Sequence, residues 1–104
     1  MKQEGSIHEG ILQDESITYS ITEIETLCVV ERHEIEEMVE LGILEPQGLS
    51  YETWVFQCTA LNRTQKALRL HKDLAINWPG VALALELLDE LEQLRQTIAI
   101  LQRD

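Results

Sequence analysis

The sequence predicts a mostly α-helical domain: a helix-turn-helix, a short two-stranded wing and two longer C-terminal helices. Three observations lead there. Aromatic residues make up only 5% of the chain, so Leu and Ile must build the core, which suits helices better than a β-sandwich. Two short amphipathic stretches follow one another between Ser20 and Gly42. Near the C-terminus Ala84, Leu87, Leu91, Leu94, Ile98 and Leu101 recur at alternating intervals of three and four, the spacing of a heptad seam. With 104 residues the chain holds a single core. It divides into residues 16–57, the helix-turn-helix and wing, and residues 58–104, a helical hairpin.

Residues 1–15 are polar, carry two glycines and no period, and read as a flexible tail. "SITY" (16–19) alternates and predicts a short strand. Ser20 and Glu23 then have capping-box spacing, with Ile21, Ile24, Leu27 and Cys28 on one helical face behind them. "ERHEIEEMVELG" signals a second helix almost at once, burying Ile35, Met38, Val39 and Leu41 and ending on Gly42 as a left-handed cap. "ILEPQG" reads as a strand and turn, and "ETWVF" as the returning strand, with Trp54 and Phe56 on one side.

From Thr59 the helical period resumes, with Leu61, Leu68 and Ala75 on one face, and predicts a third helix to about Ile76. Asn77 is expected to end it in the left-handed conformation. Pro79 suits the first turn of a fourth helix, where its missing N–H costs nothing. Trp78 is expected to pack in the elbow between the two, and both Trp54 and Trp78 to lie in the core. Val81, Leu83, Leu85 and Leu88 widen the apolar surface of the fourth helix at its start. Leu91, Leu94, Ile98 and Leu101 continue as a stripe suited to pairing with a second copy, where Glu90 would meet Arg95 of the other chain if the helices ran parallel.

Charge narrows the function. The net charge is −11, and residues 1–62 carry all of it: thirteen acids against Lys2 and Arg32. Residues 63–104 balance six acids with six bases. A half so acidic repels nucleic acid, because duplex binding depends on neutralising phosphates. A basic protein is its natural complement, steered in at long range. Four bases, Arg63, Lys66, Arg69 and Lys72, cluster in the third helix but drift around it instead of forming one stripe, and internal pairing with the acidic half is their expected use.

Catalytic motifs are absent: His8, His33 and His71 stand apart, and there is no HExxH, GxSxG or glycine-rich phosphate loop. No catalytic role, cofactor or metal is expected. Cys28 and Cys58 have no metal-site spacing and read as reduced thiols of a cytoplasmic protein. The N-terminus does not resemble a secretory signal, and the longest apolar run, Val81 to Leu85, is too short to span a membrane.

Taken in order, "ITEI", "VELGILEP", "TWVF" and above all "LRLHKDLAINWPGVALALELLDELEQL" resemble the bacterial chaperone-modulator family of the CbpM type, a branch of the MerR-like winged-helix group. The likeness covers about Ile17 to Leu101. It implies a protein that binds the J-domain of a DnaJ-like co-chaperone of the CbpA type. Such binding blocks both the co-chaperone's action on the DnaK-type chaperone and its attachment to DNA. Charge agrees with this. Glu34, Glu36, Glu37 and Glu40 line the second helix, with no base between His33 and Gln47, where a DNA-reading member would present Arg, Lys or Asn to the major groove. Glu86, Asp89 and Glu90 form a second acidic strip on the fourth helix. The competing expectation is a MerR-like transcription regulator that binds operator DNA.

Overall fold

The computed structural model describes residues 17–103; the proposed tail, residues 1–15, lies outside them. Strand β1 (Thr18–Ser20) leads into helix α1 (Ile21–Cys28), a tight turn and helix α2 (Arg32–Glu40). A loop containing a 3-10 turn (Tyr51–Thr53) precedes strand β2 (Val55–Gln57). Helix α3 (Thr59–Leu68) continues into a wide turn (Arg69–Asp73), and helix α4 (Trp78–Leu101) closes the described chain. The mostly helical winged helix-turn-helix expected from the sequence is the fold.

Helix α1 starts as the capping box requires. Ser20 Oγ accepts the Glu23 N–H at 3.1 Å, and Glu23 Oε1 accepts the Ser20 N–H at 2.8 Å. It ends at Val29, whose φ of 54° turns the chain into α2. The Val30 N–H reaches back to Glu25 O at 3.2 Å, a Schellman-type closure. Helix α2 ends the same way: Gly42 has φ 79°, and the Ile43 N–H donates to Met38 O at 2.8 Å. A left-handed glycine was the expected cap.

The sheet departs from expectation. Strand β2 pairs antiparallel with β1, Tyr19 opposite Phe56, and not with residues 43–45. The reason is local. The N–H groups of Ile43 and Leu44 are both drawn to Met38 O to close α2, their side chains are buried, and Pro46 has no donor to offer. Only Gln47 meets Val55, through two hydrogen bonds of 2.8 and 2.9 Å. The wing is therefore a loop, residues 48–54, pinned at its base.

Ile24, Ile35, Met38, Phe56, Val81 and Leu85 are essentially inaccessible and form the centre of the core. Each large aliphatic or aromatic side chain buried there contributes about 1.5–3 kcal/mol. Two residues assigned to buried stripes lie outside: Leu27 is exposed and Leu41 sits at the edge of exposure, because the turns after α1 and α2 begin beside them.

The elbow before α4 also differs. Helix α3 stops at Leu68, and Ala75, with φ 57°, makes the reversal instead of Asn77. Ala60, Thr64 and Ala67 form the buried face of α3, Leu61 and Leu68 are half-buried beside it, and after the wide turn Leu74 and Ala75 are exposed. Asn77 is extended and caps α4, its Oδ1 accepting the Gly80 N–H at 2.8 Å, with Pro79 in the first turn as expected. Trp78 is buried in the elbow. Beyond Leu85 the helix runs out into solvent, and Leu83 and Leu88, both counted in the apolar surface expected to be buried at its start, are exposed.

Candidate partner-binding face

Two buried residues set the orientation of α2. With Ile35 and Met38 in the core, helical periodicity turns Glu36, Glu37 and Glu40 to the opposite face, with Glu34 on its flank. Glu34 Oε1 accepts the Glu31 N–H at 3.2 Å, so it also serves the helix start. Arg32, the one base on this helix, is held towards α1: its Nη2 donates to Thr22 Oγ1 and Glu25 Oε1, each at 2.9 Å. The Glu25 carboxylate raises its pKa further. His33 lies 3.2 Å from Glu31.

Among the described residues, none of Glu34, Glu36, Glu37 and Glu40 is ion-paired with Lys or Arg. The face thus carries four carboxylates without a direct ion pair, and Arg32 comes nearest to them, acting on the same Tyr51 hydroxyl as Glu36. Tyr51, from the 3-10 turn of the wing, joins it: the Glu36 carboxylate beside its hydroxyl raises the phenol pKa. Sequence reasoning missed this residue, because nothing in the spacing brings position 51 next to position 36.

The second strip behaves differently. Glu86, Asp89 and Glu90 are all exposed on α4, but Asp89 is turned towards α3 and pairs with Arg63 at 3.1 Å. Arg63 Nε also donates to Ile43 O at 2.7 Å, so one guanidinium ties α3 to α4 and to the end of α2. Of the basic cluster Arg63 alone is ion-paired among the described residues, and with Asp89 of the charge-balanced half instead of an acid of the N-terminal half. Lys66, Arg69 and Arg95 line a cleft of about 630 Å³ between α3 and α4, facing Asp73, Glu92 and an apolar floor that includes Leu88. No three acidic, His or Cys side chains among the described residues are grouped to hold a metal ion. Cys28 and Cys58 are both buried and unbridged, and no described helix is long and apolar enough to cross a membrane.

The far face of α4 is apolar. Leu87, Leu94, Ile98 and Leu101 are 51–77% exposed, on the side turned away from Trp78, Val81 and Leu85, while Leu91, 44% exposed, borders the cleft beside α3. Ala84, at the start of the same seam, is half-buried.

Comparison with known proteins agrees with this architecture. The family described as MerR HTH family regulatory protein matches residues 19–103. The chaperone modulatory proteins CbpM of Escherichia coli (strain K12 / DH10B) and Shigella boydii serotype 18 are each 38% identical over 88 residues, covering 85% of this chain and 87% of theirs. The CbpM of Escherichia coli O139:H28 matches to the same extent. A winged helix-turn-helix with an acidic second helix, matched over nearly its whole length, therefore belongs to the MerR helix-turn-helix family and, within it, to the chaperone modulatory proteins of the CbpM type.

Proposed function

We propose that this protein is a chaperone modulator that binds the J-domain of a DnaJ-like, CbpA-type co-chaperone through the outer face of α2. One observation carries the reading: Glu34, Glu36, Glu37 and Glu40 have no Lys or Arg partner among the described residues, on the helix that DNA-binding relatives use to read bases. A J-domain offers a basic helical surface, and an acidic protein that covers it competes with the DnaK-type chaperone for the same surface. The same occupancy would obstruct DNA binding by the co-chaperone. The role is binding, not catalysis, and it is carried out in the cytoplasm, where that co-chaperone works. Glu86 and Glu90 extend the negative field, and Asp89 contributes less because Arg63 already neutralises it.

The test is calorimetry with the purified J-domain. Glu36→Lys together with Glu37→Lys is expected to weaken binding more than ten-fold at physiological salt, where screening over about 8 Å leaves only close charges effective. Unchanged affinity removes α2 from the proposal. Retarded migration of duplex DNA with the wild-type protein at low salt would instead favour the regulator reading.

The exposed seam of α4 supports a further part of the proposal, a homodimer through Leu91, Leu94, Ile98 and Leu101. A parallel pair would bring Glu90 opposite Arg95 of the second copy, although Arg95 also lines the cleft beside α3. Leu94→Glu with Ile98→Glu should leave the fold intact and give a monomer in sedimentation at concentrations where the wild type associates. A wild type that is monomeric throughout removes the dimer.

A further inference from the structure

The cleft between α3 and α4 sets an apolar floor among bases, on a protein that is otherwise strongly acidic. Leu74, Leu88 and Leu91 of that floor are 64, 48 and 44% exposed. Partly exposed leucines lining one cleft form the kind of apolar patch that marks a binding site. Lys66, Arg69 and Arg95 flank them, and none of the three is ion-paired among the described residues. Asp73, Asp89 and Glu92 share the rim, but Asp89 is already neutralised by Arg63. Three bases against two remaining carboxylates leave this rim one positive charge in excess, in a chain of net charge −11. The wall is firm as well. The wide turn leads into Ala75 at φ 57°, and His71 Nδ1 lies 2.7 Å from Ile76 O behind it. A site held in this way needs little reorganisation to bind.

We propose that this cleft is the docking site for the acidic segment at the start of the same chain, residues 4–15, which closes over it as an intramolecular strap. Composition is the first reason. Residues 1–16, outside the described residues, interleave Ile7, Ile11 and Leu12 with Glu4, Glu9, Asp14 and Glu15, against a single base, Lys2. Apolar side chains with carboxylates close by complement leucines flanked by Lys66, Arg69 and Arg95. Position is the second. Thr18 pairs with Gln57, and β2 leads almost directly into α3 at Thr59, so the described chain begins beside the first turn of α3. Lys66 lies only about 10 Å further along that helix. Reach is the third: sixteen residues span up to about 50 Å when extended, ample for Leu12 and Asp14 to arrive at the cleft. A segment tethered so closely meets its site at an effective concentration of about millimolar, so a contact too weak to hold a separate peptide suffices within one chain. The strap is independent of which partner the α2 face binds.

The experiment follows chymotrypsin cleavage after Leu12 in the full-length protein, each rate being referred to that of a free peptide of residues 1–16 with the same sequence. Cleavage tracks the fraction of time the segment is off the cleft. Arg69→Glu with Arg95→Glu, both at exposed positions, is expected to speed it about ten-fold with circular dichroism unchanged. Asp14→Lys with Glu15→Lys should do the same. All four substitutions together, which restore opposite charges, should return cleavage close to the wild-type rate. A wild-type segment cut as fast as the free peptide overturns the strap, and so does a fourfold variant cut as fast as either pair. Protection that disappears on dilution puts the segment in the cleft of a second copy and overturns the intramolecular contact. A second measurement does not depend on charge reversal: in the labelled wild-type protein, Ile11 and Leu12 methyl groups should give NOEs to those of Leu74, Leu88 or Leu91, and their absence overturns the inference.

Discussion

The His71 and Trp78 rings stack with centroids 4.0 Å apart and planes 19° from parallel, across the reversal that separates α3 from α4. His71 Nδ1 lies 2.7 Å from Ile76 O, which fixes the imidazole against the turn while the indole seals it from the core side. The pair explains why a tryptophan stands directly before Pro79. The indole fills the elbow that the Asn77 cap and the proline hold open. Trp78→Ala should cost about 3–5 kcal/mol by the usual large-to-small penalty. Chemical denaturation monitored by circular dichroism checks it. His71→Ala, which removes one ring of the stack but no core volume, should cost far less, about 1 kcal/mol.

Caps and cores were the legible part of this sequence, and long-range pairings were not. Ser20 with Glu23, Gly42 and Pro79 act within a few residues of themselves, so their roles follow from spacing. Ile35 and Met38 follow from period. The partner of β2 could not be read, because Ile43–Leu44 and Ile17–Tyr19 look equally extended. The choice fell to which backbone was already occupied closing α2. Ala75 was missed as a left-handed residue because alanine carries no such signal, and Asn77 attracted the assignment instead. At the site, the glutamates of α2 were legible as a charge run. The position of Tyr51 beside Glu36 and the diversion of Asp89 to Arg63 depend on tertiary contacts that spacing does not encode.

Val29 carries backbone strain. A β-branched residue at φ 54° is costly, and its side chain is 81% exposed, so packing returns little. Val29→Gly should therefore stabilise the protein by up to about 1 kcal/mol, the relief of the left-handed conformation outweighing the flexibility gained by the unfolded chain. A higher urea midpoint with an unchanged slope is the expected result.

Thr64 is a second site open to improvement. Its side chain is completely buried on α3, and Oγ1 has no hydrogen-bond partner. An unsatisfied buried hydroxyl costs about 1–3 kcal/mol, and valine has nearly the same shape without it. Thr64→Val should raise the melting temperature. A lower one would mean that the hydroxyl has a partner after all, such as an internal water.

Cys28 makes the stability dependent on alkaline pH. Burial raises its thiol pKa, so the folded protein keeps a proton that the unfolded chain releases earlier. The folded state then binds more protons than the unfolded one as the pH climbs, and stability falls. The contribution is complete below the pKa of an unfolded thiol, about 8.5, and is lost as the pH rises through the higher folded value. Tyr51, raised by Glu36, acts in the same direction at higher pH. Urea midpoints measured from pH 7 to 10 should therefore decline more steeply in the wild type than in Cys28→Ala. The same burial predicts slow reaction of Cys28 with Ellman's reagent in the native protein and fast reaction once it is unfolded. A native thiol that reacts at the unfolded rate would place Cys28 at the surface and remove the cause of the shift.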